Sequence, residues 1–295
     1  MVIFMGDYRK FAIIGGDLRQ IQLANALAAK GYAVAVYGFD NGIEALNLPI
    51  SDSLKDAIAD ATIVILPLPV TFDDGIVNAP MFDGKLEMAV LLRLMNENQV
   101  LLAGKIDEKT AALIDTYNVY AIDYFAREEL SVLNAIVTAE GGIELAMSEL
   151  PTTLHGSNCL VMGFGRIGKV LCRMLGGIGA HVTATVRGHE ALAWIDAYGY
   201  GGMHIDALPF RVGEFDVVFN TIPHKLITVD VLGAVKKDVL IIDLASRPGG
   251  VDMPVAREFG IKTIWALSLP GKVAPITAGN IIMQAVLNIC EELSL

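Results

Sequence analysis

The chain has 295 residues, enough for one large or two ordinary domains, and its apolar fraction of 54% against an aromatic fraction of only 7% puts the excess in Ala, Val, Ile and Leu, as expected of buried parallel strands covered by helices. A formal net charge of −11 argues against nucleic acid or an anionic membrane as partners, because binding phosphates needs a cationic field, and no apolar run approaches the roughly 18 residues of a membrane span. The three cysteines, Cys159, Cys172 and Cys290, have no metal-ligand spacing, so neither a metal site nor a disulfide framework is expected and the default compartment is the reducing cytoplasm.

The opening MVIFMGDYRK has no small-residue cleavage pattern and does not read as a secretory leader. Phe11 to Ile14 is an apolar run stopped by Gly15-Gly16-Asp17; Leu18 to Lys30 has helical spacing, and Tyr32 to Tyr37 is a second apolar run. Asp17, Leu18 and Arg19 stand where a dinucleotide-binding turn would place its later glycine, so this turn is not expected to hold a pyrophosphate. Instead Asp17 and Arg19 are candidates for contact with substrate. Further strands are read at Thr62–Leu66, Val100–Ala103 and Val119–Ile122, with helices at Leu86–Met95 and from Asp107 to about Thr116; Lys105 follows the Val100–Ala103 strand. Short strands alternating with helices imply a parallel sheet with right-handed crossovers.

Arg127 to Glu149 reads as a long helix interrupted at Gly141-Gly142, with Glu140 a carboxylate among small residues. After the break at Pro151 to Gly156 comes NCLVMGFGRIGKVLCRMLGGIGAHVTATVR, a strand, a glycine turn, a helix and a second strand. Gly163, Gly165 and Gly168 fill G-x-G-x-x-G: the first permits the turn, the second lets a pyrophosphate approach, and the third lets the helix pack on the strand. Arg166 and Ile167 open the helix whose N-terminus would face the phosphates. An NAD site wants a carboxylate about 20 residues past the first glycine, at the end of the second strand. Here that strand ends in Arg187, whose fork of donors suits a 2′-phosphate, so the sequence favours NADP over NAD.

Beyond Arg187 the chain reads as less regular up to Gly213, followed by strands at Asp216–Asn220, Val239–Leu244 and Lys262–Trp265. Ligands of a doubly wound sheet lie beyond the carboxyl ends of its strands, which singles out three loops. Asn220, Thr221 and Pro223 are candidates for the nicotinamide-ribose side, with His224 a candidate acid or base. Ala245 and Ser246 are further cofactor candidates beside Arg247, and Lys272 lies in the third loop. Thr277 or Asn280 offers a cap for a closing helix from Gly279 to Leu295. The expected architecture is α/β, two Rossmann-like doubly wound parallel-sheet domains with a cleft between them. Residues 1–125 form a substrate domain, 126–151 a connector helix and 152–278 the NADP-binding domain, with helix 279–295 packing back on the first domain.

The blocks IIGGDLRQ, TAEGGIELAM, CLVMGFGRIGKVL, NTIPHKLI, DLASRPGGVD and LPGKVAPITAGNII, in this order, resemble the A subunits of dipicolinate synthase over essentially the whole chain. More distantly the layout resembles formate/glycerate dehydrogenases, alanine dehydrogenase and adenosylhomocysteinase. The resemblance implies NADP-linked oxidation of a dihydro- or hydroxytetrahydro-dipicolinate to dipicolinate in a branch of the lysine/diaminopimelate pathway. It also implies a smaller B-subunit partner and the mother-cell cytoplasm of a sporulating bacterium. A dicarboxylate substrate needs local cations against the overall charge; Arg19, Lys105, Arg247 and Lys272 are the candidates, the arginines for bidentate recognition. Two other readings stay open: another NAD(P)-dependent dehydrogenase of amino or 2-hydroxy acids, and a non-catalytic dinucleotide-sensing subunit. Homo-oligomerisation is also left open.

Overall fold

In the computed structural model, which describes residues 9–72 and 75–294, the chain divides into two compact units. The opening stretch Met1–Tyr8, read above for a leader, lies outside the described residues. One unit takes the chain up to Leu133 together with Ala274–Leu295, and the other is Asn134–Val273.

The first unit runs β1 (Lys10–Ile14), α1 (Leu18–Ala29), β2 (Ala33–Tyr37), α2 (Leu54–Ala59), β3 (Ile63–Ile65), α3 (Met88–Leu94), β4 (Val100–Ala103), α4 (Glu108–Thr116) and β5 (Tyr120–Asp123), followed by the long α5 (Glu128–Glu149). Its strands pair in parallel in the order β2-β1-β3-β4-β5, so the direction of winding reverses between β1 and β3. The apolar runs explain the strands: Phe11–Ile14 and Leu101–Ala103 are essentially inaccessible, as strands covered on both faces must be. Asp17, Ser53 and Asp107 start α1, α2 and α4 by accepting a backbone N–H from the first turn. At six residues, α2 is too short to show a period in the sequence.

The second unit contains β6 (Asn158–Met162), α6 (Arg166–Ile178), β7 (His181–Val186), α7 (His189–Ala197), β8 (Gly201–His204), α8 (Leu208–Arg211), β9 (Val217–Asn220), α9 (Val229–Leu232), β10 (Leu240–Asp243), α10 (Met253–Glu258), β11 (Lys262–Trp265) and α11 (Leu269–Val273). Its six parallel strands lie in the order β11-β10-β9-β6-β7-β8, the doubly wound order of a dinucleotide-binding domain with its switch point between β6 and β9. The segment after Arg187, expected to be less regular, is a helix, an edge strand and a second short helix. Gly201-Gly202-Met203-His204 carries no apolar run to betray it.

Two further expectations are corrected. Helix α5 is continuous through Gly141 and Gly142. These glycines sit where α5 meets its neighbours: a Cβ on Gly141 would lie 2.9 Å from Val273 Cγ2, and one on Gly142 3.1 Å from Leu244 Cδ1. The closing helix α12 (Pro275–Glu292) begins earlier than Gly279, and neither Thr277 nor Asn280 caps it; Ala274 precedes it, and proline in the first turn sets the start. Asn280 instead accepts from Gln22 Nε2 at 3.0 Å. Ile282, Val286 and Ile289 of α12 share a core with Ile21, Leu23 and Leu27 of α1. Among the described residues α5 is the one helix long and apolar enough to cross a membrane, and half of that stretch is buried. Its Leu130 belongs to the first unit's core and Ala139, Ile143 and Ala146 to the second's, the burial of a core helix.

Asp216, just before β9, accepts from Asn158 N at 2.8 Å and Lys236 Nζ at 2.6 Å. Partial burial works to raise its pKa, but the bonds from Lys236 and Asn158 outweigh it and hold the carboxyl below the usual aspartate value. A depressed folded pKa contributes stability that is complete above the unfolded value, about 3.9, and is lost as pH falls through the folded value. Asp216→Asn should therefore lower the melting temperature at neutral pH and show a shallower loss below about pH 4 than the parent, read from melts across pH. Parallel curves would show that Asp216 carries none of the acid sensitivity.

Candidate functional site

The carboxyl edge of the second sheet is assembled by register. Met162 of β6 stands opposite Thr185 of β7 and Asn220 of β9, and Asn220 stands opposite Asp243 of β10. Gly163 turns the chain out of β6 with φ of 94°, its N–H donating to Thr185 O at 3.0 Å. A Cβ here would lie 2.7 Å from Thr221 Oγ1, so glycine is also needed for space. Thr221 Oγ1 in turn donates to Met162 O at 2.7 Å and locks the β9 loop to the turn. Gly165 precedes α6 and has nothing within 4 Å of its Cβ position, leaving the backbone open to an approaching group. Gly168 is the opposite case: a Cβ would run into the carbonyl oxygen of Gly163, so the close packing of α6 on the turn depends on its absence. No side chain caps α6, Arg166 is exposed at its start and Ile167 is half-buried. First-turn N–H groups of a helix are ready anion donors, and the cradle fits a pyrophosphate.

Arg187 follows β7 directly and is exposed, with its carbonyl bonded to His204 Nε2 at 2.8 Å. Gly188 comes next, and α7 starts without a side-chain cap; the carboxylate expected at an NAD ribose is absent from the strand end, Glu190 lying in the first turn of α7.

Between β9 and β10 lies a buried polar knot. Asn220 is inaccessible and Asp243 is 1% exposed. Asn220 Nδ2 donates to Asp243 Oδ1 at 2.7 Å and to Ile222 O at 3.0 Å, while its Oδ1 accepts from Ile222 N at 3.1 Å. Asp243 also accepts from Ala245 N at 3.1 Å and Gly250 N at 2.8 Å, and Trp265 Nε1 donates to Ala245 O at 3.0 Å. The loop is thereby pinned at both ends. Ser246 and Arg247 stand exposed at its tip, Arg247 joined to Pro248 by a cis peptide bond and without a hydrogen-bond partner among the described residues. Asp243 and Trp265, which hold this loop in place, were not singled out as candidates from the sequence. A lone aspartate closing the apolar strand Leu240-Ile241-Ile242 was the available signal.

Pro223 and His224 are exposed on the β9 loop, Glu140 is exposed on α5 and Lys272 in the last turn of α11; His224, Glu140 and Lys272 have no hydrogen-bond or ion-pair partner among the described residues. In the first unit Asp17 and Arg19, expected to reach substrate, are spent on each other. Asp17 caps α1 and accepts from Arg19 Nε at 2.9 Å and Nη2 at 2.8 Å, while Nη2 also donates to Leu68 O at 2.6 Å and the arginine side chain is only 7% exposed. The pair braces the turn after β1 against the segment after β3. Lys105 sits at φ 58° with its N–H held by Asp123 Oδ1 at 2.8 Å, and its side chain is exposed. Tyr124, behind this turn, donates to Leu66 O at 2.9 Å, and burial raises its pKa well above the usual phenol range. Burial likewise pushes the thiols of Cys159 and Cys172 up to about 12, which leaves them unreactive. No group of three or more His, Cys, Asp or Glu able to hold a metal occurs among the described residues. A cavity of about 700 Å³ lined by Asn158, Arg173, His181 and Tyr200 lies at the amino ends of β6 and β7, the far end of the sheet from the glycine turn.

Comparison with known proteins fits this layout. Residues 10–125 match the N-terminal domain of the dipicolinate synthase A subunit, and residues 133–253 match the NAD binding domain of D-isomer specific 2-hydroxyacid dehydrogenases. The second unit is thus a dinucleotide-binding domain of dehydrogenase type. The crystal structure of the dipicolinate synthase A subunit from Bacillus halodurans superimposes with a TM-score of 0.86 at 29% identity, covering 96% of this chain and 97% of that one. The crystal structure of its Bacillus subtilis counterpart gives 0.86 at 31% identity, covering 97% of each chain. A transhydrogenase from Sinorhizobium meliloti, at 15% identity and a TM-score of 0.70 over 96% of this chain and 94% of that one, shares the fold. In sequence, the dipicolinate synthase A subunit of Bacillus subtilis (strain 168) is 32% identical over 96% of both chains, and the present chain belongs to that family.

Proposed function

We propose that this chain oxidises a dihydro- or hydroxytetrahydro-dipicolinate to dipicolinate with NADP as acceptor, in the cytoplasm of a sporulating bacterium and beside a B subunit such as the name of its relatives implies. The observation that carries the cofactor reading is the glycine turn with Arg187, rather than a carboxylate, immediately after β7. Bound there, the nicotinamide would supply the hydride acceptor. A dihydro ring gives up one hydride and one proton to become aromatic; a hydroxytetrahydro ring must also lose water. Because aromatisation drives the reaction, the protein's work is to orient the ring and hold its two carboxylates.

Arg247 is the residue we assign to a substrate carboxylate, being an exposed, unpaired guanidinium on a loop pinned by Asp243. Lys105 and Lys272 are the further cations. Asp17 and Arg19 pair with each other and fix the turn after β1. His224 and Glu140 are the groups assigned to take the departing proton. Arg166, Ile167, Asn220, Thr221, Pro223, Ala245 and Ser246 line the dinucleotide side.

The test is turnover of the dihydro- or hydroxytetrahydro-diacid, followed by the absorbance of reduced nicotinamide, with and without the B subunit. Turnover of alanine, lactate or glycerate without the heterocyclic diacid would replace this reading by an ordinary dehydrogenase, and NADP binding without any turnover would make the chain a sensor. For the cofactor, Arg187→Ala is expected to weaken NADP by about 10- to 100-fold, the value of a charge-assisted phosphate contact, and to leave NAD affinity nearly unchanged in titration calorimetry. Equal losses for both cofactors would remove Arg187 from the phosphate.

A further inference from the structure

Two charged residues are buried among the described residues, Arg19 at 6% exposure and Asp243 at 1%. Arg19 has its counter-charge in Asp17, at 2.8 Å. Asp243 has none: its partners are the amide of Asn220 and the N–H groups of Ala245 and Gly250, all neutral, and no lysine or arginine among the described residues pairs with it. These groups are all donors, so they satisfy the ionised carboxylate and offer nothing to a protonated one. Hydrogen bonds of this kind lower the cost of burying a charge without neutralising it, and a buried charge ordinarily goes with an opposite charge close by. Arg247, four residues on, is exposed to water and screened, so it does not fill that place.

Asp243 ends β10 beside Asn220 of β9, at the carboxyl edge of the strands and on the side of the switch point away from Arg187. In a doubly wound sheet this is where the far half of a bound dinucleotide lies. A nicotinamide ring carries a unit positive charge when oxidised and none when reduced. We propose that Asp243 is the counter-charge for the oxidised nicotinamide ring, so that the site holds NADP⁺ more tightly than NADPH and releases the reduced cofactor. The inference rests on the dinucleotide reading of the turn at Gly163. It adds a role to a carboxylate that would otherwise only tie two loops together.

The experiment is calorimetric titration of the full chain, wild type and Asp243→Asn, with NADP⁺ and with NADPH in the absence of substrate. The wild type should favour NADP⁺, and the variant should lose NADP⁺ affinity on the order of tenfold, the effect of one buried charge at protein dielectric, with NADPH affinity unchanged within about twofold. A parallel fall for both forms would show that Asp243 acts only by holding the loop, and no change for either would show that its charge does not reach the ring; both outcomes overturn the proposal. Should Asp243→Asn fail to fold, the wild type decides with fragments: nicotinamide mononucleotide, whose ring is cationic, must bind more tightly than its reduced form, whose ring is neutral and whose phosphate is the same, and equal binding overturns the proposal. Failure of the wild type to bind either dinucleotide would instead bring down the reading of the glycine turn on which this rests.

Discussion

Gly168→Ala should abolish measurable dinucleotide binding and destabilise the second unit, whereas Gly177→Ala, nine positions along the same helix, should stabilise it. The contrast follows from what a methyl group meets. At Gly168 it runs into the carbonyl oxygen of Gly163, and backbone cannot step aside as a flexible side chain can. Either α6 lifts from β6 or the turn distorts, and both spoil the cradle for pyrophosphate. Overpacking of this kind costs about 1–3 kcal/mol. At Gly177 nothing lies within 4 Å of the Cβ position, so alanine gains the helix propensity glycine lacks, about 0.5–1 kcal/mol. Chemical denaturation and cofactor titration of both variants check the pair, and wild-type binding by Gly168→Ala would mean that close packing at this turn is dispensable.

Arg247→Ala should cut turnover by about 100-fold while leaving stability within about 0.5 kcal/mol and NADP affinity nearly intact. The side chain is exposed and bonded to nothing among the described residues, so its removal leaves no buried group orphaned. Its expected loss is that of a charge-assisted bidentate contact, about 1.5–3 kcal/mol, felt only once substrate is present. Arg247→Lys keeps the charge but not the fork, and should recover only part of the rate. Steady-state kinetics with cofactor binding measured separately would decide; unchanged kinetics in the alanine variant would take Arg247 out of the reaction.

Much of the fold was legible in the sequence because parallel strands covered on both faces need uninterrupted apolar runs. β1, β4, β6, β9 and β10 all announce themselves that way, with burial to match. β8 does not, since Gly201 and Gly202 carry no apolar side chain; a Cβ at Gly202 would lie 3.2 Å from Leu192 Cδ2, so the close packing of this edge strand is made by backbone. The glycine fingerprint was readable for a related reason: its spacing is imposed by one turn and one helix, both local. What could not be read was how charges pair. Asp17 and Arg19 have the same residue types as a ligand-binding pair, and only the geometry of a helix start turns them on one another. The significance of Asp243 needed the knowledge that β10 lies beside β9 and that no cation among the described residues pairs with it.

The chain order of the two units has a consequence for biosynthesis. The polypeptide builds five strands of the first sheet, then the whole second unit, and only afterwards the helix Pro275–Glu292 that covers Leu23 and Leu27. Until that helix is in place the first unit lacks part of its hydrophobic cover, although every strand of both sheets is already made. Premature termination soon after Val273 would leave a product with one finished half and one prone to aggregate, a hazard that C-terminal truncations of this chain inherit.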